Sequence, residues 1–86
     1  MLYIYYAKSF IREYKKCTDE TKATAKEKEK IFCINPFDNT LQTHKLKGHL
    51  LDLWSFRLTY KLRIIFQFRN NNEVIFIHIG NHDIYE

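Results

Sequence analysis

The sequence predicts an α+β fold with the order β-α-α-β-β-β, an antiparallel sheet carrying two helices on one face. Three observations lead there. Strong helix formers and helical spacing fill the first half of the chain. Asn35-Pro36 closes that half. From Trp54 onward, apolar residues recur at every second position instead. The 86 residues allow one domain, taken here as residues 1–86. A domain of this size buries only roughly 60–65% of the surface its unfolded chain exposes, so every large apolar residue matters. Seven Phe, six Tyr and one Trp supply much of that burial.

Taken in order, Leu2 to Tyr6 is β-branched and aromatic and reads as the first strand. Ser9 offers a cap, and Phe10, Ile11 and Tyr14 follow at helical spacing, so the first helix is expected from Ser9 to about Cys17. Thr18 offers a second cap, and Asp19 and Glu20 suit the positive end of a helix dipole. Thr21 to Lys30 has strong helix propensity and a thin apolar face of Ala23, Ile31 and Phe32. Asn35-Pro36-Phe37-Asp38-Asn39 ends the helix, because proline keeps its predecessor out of the helical region and Asn and Asp favour turns.

The period then becomes two. Trp54, Phe56 and Leu58 alternate with Ser55, Arg57 and Thr59. Leu62, Ile64, Phe66 and Phe68 alternate with Lys61, Arg63, Ile65 and Gln67. Asn70-Asn71-Asn72 reads as a hairpin turn, since asparagine tolerates left-handed conformations. Val74 to Ile79 is apolar on both faces and should be a central strand.

Charge is unevenly spread. Fourteen Lys and Arg face ten Asp and Glu, a formal +4. Six bases and one acid lie between Leu41 and Arg69, while Met1 to Thr40 carries eight bases and six acids. All four histidines follow position 40. A local basic excess suits a polyanionic partner or a solubilising surface. Cys17 and Cys33 form no Cys-x-x-Cys, and two cysteines make a poor disulfide framework, so partly buried thiols in a reducing cytoplasm are expected. No apolar run approaches the ~20 residues of a membrane span and none resembles a leader, so no membrane partner is expected. A metal site fits badly: His78 and His82 lie about 13 Å apart on an extended strand. No cofactor is expected.

The pattern also implies a surface. If Trp54, Phe56 and Leu58 face the helices, then Arg57, Lys61 and Arg63 share the face the helices leave open. The last strand runs through Gly80 to His82 and would carry that histidine to the rim of this basic face. His49 and His78 read as structural.

These residues resemble the RelE/ParE superfamily of toxins from bacterial type II toxin–antitoxin systems, nearest the RelE, YafQ and YoeB ribonuclease branch. Asn35-Pro36-Phe37, His44-Lys45-Leu46-Lys47-Gly48, Trp54-Ser55-Phe56-Arg57, Tyr60-x-x-Arg63-Ile64-Ile65-Phe66 and Gly80-x-His82-Asp83-x-Tyr85 follow one another in that family's order and spacing. The resemblance implies a metal-independent endoribonuclease cleaving messenger RNA, often at the ribosome, and an antitoxin as partner. It implies His82 as general acid, His44 as general base or 2′-OH orienter, and Arg63 with Arg57 as the clamp on the transition state. Lys45, Lys47 and Lys61 would grip phosphates, and Tyr85 would stack or orient a base. Arg57 and Lys61 stand where YafQ-like enzymes place a second histidine and an aspartate. Two alternatives share the fold: a ParE-like inhibitor of DNA gyrase, and a member that only binds its antitoxin. Histidines at both positions 44 and 82 favour the ribonuclease, because inhibiting a topoisomerase needs no proton transfer.

Overall fold

Phenylalanine builds the centre of this domain. Phe32 is fully buried, with its ring 4.9 Å from Phe56, 4.9 Å from Phe66 and 5.4 Å from Phe76. Removing such a ring costs about 3–5 kcal/mol, a large share of the roughly 5–15 kcal/mol that holds a small domain folded. Phe10, Ala25, Leu41, Leu58, Ile64, Val74 and Ile79 complete the same core.

The computed structural model describes residues 2–47 and 52–81. The elements are β1 (Tyr3–Tyr6), α1 (Lys8–Lys15), α2 (Asp19–Ile34), a 3-10 turn (Asn39–Leu41), β2 (His44–Lys45), β3 (Trp54–Arg57), β4 (Leu62–Phe68) and β5 (Glu73–Asn81). The strands form one sheet in the order β1-β5-β4-β3-β2. The sheet is antiparallel except where β1 runs parallel to β5. Both helices send side chains into the same core, so the expected α+β architecture holds. The short β2 is an addition to it, and the expected first strand β1 pairs parallel to β5 instead of antiparallel.

Two helix details differ from expectation. α1 starts at Lys8, and its cap position is Ala7, which makes no side-chain cap bond. Ser9 instead donates to the carbonyl of Ile77 at 2.6 Å. The reason is topological. β1 pairs with β5 only as far as Phe76, and α1 then lies along the β5 edge. Side chains of α1 take over edge groups a strand would otherwise satisfy: Ser9 for the Ile77 carbonyl, and Glu13 for the Ile79 N–H at 3.1 Å. α2 is longer than expected and buries Ala25 and Phe32, whereas Ala23 is exposed. Thr18 does cap it, accepting from the Thr21 N–H at 3.1 Å.

The turns are built by side chains. Asn35 Oδ1 accepts from the Phe37 N–H at 3.0 Å and ends α2, and Asn70 Oδ1 accepts from the Asn72 N–H at 2.8 Å between β4 and β5. None of the three asparagines of that turn has positive φ. Side-chain hydrogen bonding, not left-handed backbone, explains the run.

β5 lies between β1 and β4, as a central strand should, only as far as Phe76, and it carries a bulge. Ile65 pairs with His78 but Phe66 pairs with Phe76, leaving Ile77 as an extra residue. A bulge reverses the side-chain alternation beyond it. Val74, Phe76 and Ile79 therefore all reach the core, and His78 turns to the opposite face with Ile65.

Candidate active site

Opposite residues in a ladder share a face. On the face away from the helices, His44 stands opposite Ser55, Ser55 opposite Ile65, and Ile65 opposite His78, a row crossing four strands. The next row is Arg57, Arg63 and Gly80.

The arginine pair carries the electrostatics. Like charges directly opposite on a sheet are unfavourable, and here neither guanidinium has a carboxylate within ion-pair distance among the described residues. Arg57 lies over the Tyr60 ring, 5.6 Å from its centroid, and Tyr60 is 77% exposed. Gly80, opposite Arg63, puts no side chain in front of it. Two half-buried, planar, permanently charged forks, one of them opposite a glycine, suit an anion held through paired hydrogen bonds.

His44 is exposed and held at both ring nitrogens. Nδ1 lies 3.1 Å from the Gln42 carbonyl and Nε2 lies 3.4 Å from Ser55 Oγ. A carbonyl can only accept, so Nδ1 carries the proton of the neutral ring and Nε2 accepts from the Ser55 hydroxyl. Gln42 is in the left-handed region with φ 52°, uncommon for a non-glycine residue, immediately before this segment. Ser55 is fully buried.

His78 reads as structural in the sequence, yet it stands on this face. Its Nδ1 lies 3.2 Å from both carboxylate oxygens of Glu13, and one of those oxygens also accepts from the Ile79 N–H. It is the one ion pair among the described residues. The bulge puts it here, and a one-residue insertion leaves no mark in the apolar run Val74 to Ile79.

The expected lysines are more scattered. Lys61 lies in the β3–β4 turn and is exposed, outside the strand that carries Arg63. Lys45 pairs with Trp54, which packs on the core side, so Lys45 is on the opposite face from the arginines. Lys47 is exposed just after β2. β5 runs to Asn81, opposite Leu62. His82 and Tyr85, like His49, lie outside the described residues. The described residues hold no group of three or more His, Cys, Asp or Glu able to bind a metal ion. Cys17 and Cys33 are partly buried free thiols, and burial pushes both up from the usual range, which disfavours thiolate chemistry.

No protein-family model and no curated protein matches the chain. Solved structures do. A copper-bound mutant toxin from Helicobacter pylori superposes with a TM-score of 0.80 at 21% identity, covering 100% of both chains. YafQ from Escherichia coli BL21(DE3) gives a TM-score of 0.80 at 14% identity over 98% of this chain and 97% of its own. A YoeB–YefM complex from Staphylococcus aureus gives 0.77 at 19% identity over 95% and 98%.

Proposed function

We propose that this chain, which has the fold of the RelE/ParE superfamily of toxins, is the toxin of a type II toxin–antitoxin pair. In this reading it cleaves messenger RNA, at the ribosome, without a metal. The observation that supports it best is the facing pair Arg57 and Arg63. These are two cations with no carboxylate beside them among the described residues, on a ladder position that costs stability unless an anion is bound.

RNA supplies its own nucleophile. The 2′ oxygen bonds to phosphorus, the bond from phosphorus to the 5′ oxygen breaks, and a 2′,3′-cyclic phosphate and a 5′-hydroxyl result. One proton leaves the 2′-OH and one reaches the departing 5′ oxygen. Arg57 and Arg63 hold the phosphate and take up the charge that grows on its oxygens. His44, with its tautomer set by the Gln42 carbonyl, orients the 2′-OH or takes its proton, and His82 protonates the leaving oxygen. Lys61 and Lys47 contribute positive potential along the strand's path, and Tyr85 stacks a base. Lys45, on the other face of the sheet, contributes only at long range.

The partner of such a toxin is an antitoxin, as YefM is in the complex with YoeB. A basic face suits the acidic part of its chain.

The test is single-turnover cleavage of a messenger fragment, free and bound to ribosomes, with the product ends identified. The expected products carry a 2′,3′-cyclic phosphate and a 5′-hydroxyl, and one 2′-deoxy substitution at the cut site abolishes that cut. A 5′-phosphate end, or cleavage that survives the deoxy substitution, contradicts the mechanism. Absence of any cleavage contradicts the activity.

A further inference from the structure

We propose that the groove between α1 and α2 binds a small anionic amphiphile, with its apolar tail against the aromatic wall of the groove and its head at Lys15 and Lys22. The groove lies on the helix side of the sheet, away from Arg57 and Arg63, so binding there is independent of the ribonuclease reading.

Shape is the first support. The groove measures about 470 Å³, within the range of small-molecule pockets. Its floor is the core itself, since the fully buried Ile64 and Phe76 line it. One wall is a stack of rings. Phe10 lies 5.5 Å from Tyr6 and 5.8 Å from Tyr14, with planes tilted by 25° and 21°. Ala25, one of the smallest side chains, stands on the α2 side, and Ile11 is exposed at the lip. Two hydrogen bonds tie α2 across the groove. Tyr14 donates to the Lys22 carbonyl at 3.5 Å, and, eight residues earlier in the chain, Tyr6 donates to the Glu29 carboxylate.

Charge is the second support, and it gives the bound molecule a direction. Lys15, Lys22 and Lys26 line the groove, and none has a carboxylate within ion-pair distance among the described residues. Glu29 is the one acid in the lining, and it is engaged by the Tyr6 phenol. An anionic head is repelled from that end and drawn to the other. There Lys15 follows Tyr14, and the Lys22 ammonium lies 5.7 Å from the centre of the Tyr14 ring.

Backbone is the third support. The walls are helices, whose N–H and C=O groups bond within the helix. The groove therefore offers no strand edge to a peptide, whereas a methylene chain needs no hydrogen-bond partner at all.

The probes are octanoate and decanoate below their micelle concentrations, with decanol and decyltrimethylammonium as neutral and cationic counterparts. Calorimetry on the whole chain gives affinities, and NMR shifts locate the binding. Decanoate should move the signals of Ile11, Ala25 and Ile64 and leave those of Arg57 and Arg63 in place. It should bind about 16-fold more tightly than octanoate, from two CH₂ groups at about 4-fold each, and more tightly than either counterpart. In a Lys15→Gln, Lys22→Gln double variant, decanoate should weaken about 5-fold, the upper range for an exposed ion pair, with decanol unchanged. Lys8→Gln, exposed on α1 outside the groove, should change nothing. Ala25→Leu fills the groove and should abolish decanoate binding without lowering the melting temperature. Equal binding of decanoate and decyltrimethylammonium, shifts scattered over the surface, or full binding by Ala25→Leu overturns the proposal, because each means non-specific adsorption. Absence of decanoate binding overturns it too. If Ala25→Leu then loses binding to the protein encoded beside this gene, the groove belongs to a segment of that partner instead. None of these outcomes bears on RNA cleavage, so the ribonuclease reading stands or falls separately.

Discussion

Arg63 is a residue at which charge and shape can be separated. Lysine keeps the charge but loses the planar fork that holds a phosphate through two parallel bonds. Arg63→Lys should therefore remain at least ~10-fold impaired in RNA cleavage, the cost of about 1.4 kcal/mol of transition-state binding. Lys45→Arg, on the opposite face, should be almost silent. Equal losses in single-turnover assays would mean that net charge alone matters. A second residue reports on stability. Burial and the Glu29 carboxylate it donates to raise the Tyr6 phenol well above its ordinary value. A raised pKa means the folded state favours the neutral phenol. The stabilisation is then complete below the ordinary phenol pKa of about 10 and is lost as pH rises beyond it. Denaturant midpoints measured from pH 8 to 11 should fall for the parent, and Tyr6→Phe should flatten that fall.

At the scale of elements, the edge of β5 is the informative place. Ser9 looks like a helix cap in sequence and acts as a donor to Ile77 in the fold. At a true cap, Asp would serve as well as Ser. Here Asp cannot donate, so Ser9→Asp should destabilise by about 1–3 kcal/mol, the range for a part-buried carbonyl left without its partner. Urea titration of Ser9→Asp against Thr18→Asp, where Asp is tolerated, distinguishes the two roles. This edge also shows how far the fold is legible in the sequence. The period-two pattern places Arg57 and Arg63 on one face correctly, because alternation on β3 and β4 is unbroken. It does not bring His78 and Glu13 together, because a bulge inside a run that is apolar but for His78 changes direction without changing composition, and because Glu13 meets His78 only through the docking of α1. It assigns no face to Lys45, because the two-residue β2 is too short to carry a period and its facing is set by pairing with Trp54 and Ser55.

For the whole molecule, the asymmetry between faces is the main feature. One side of the sheet is closed by helices over an aromatic core, and the other carries Arg57, Arg63, His44 and His78 around the buried Ser55 and Ile65. An antitoxin tail that carries acidic residues should be steered to the second side. Its association rate should fall as salt rises, with a smaller change in dissociation. Stopped-flow binding of the protein encoded beside this gene checks this, and a salt-insensitive on-rate would count against steering.

The most direct test of the central claim is made in living cells. The chain is induced alone in bacteria, and the 5′ ends of messenger RNA are mapped before and after induction. A messenger-cutting toxin working at the ribosome predicts new ends inside coding regions, in phase with codons, and their loss in an Arg57→Ala, Arg63→Ala double variant. Intact messengers accompanied by DNA damage would contradict it and point to gyrase instead.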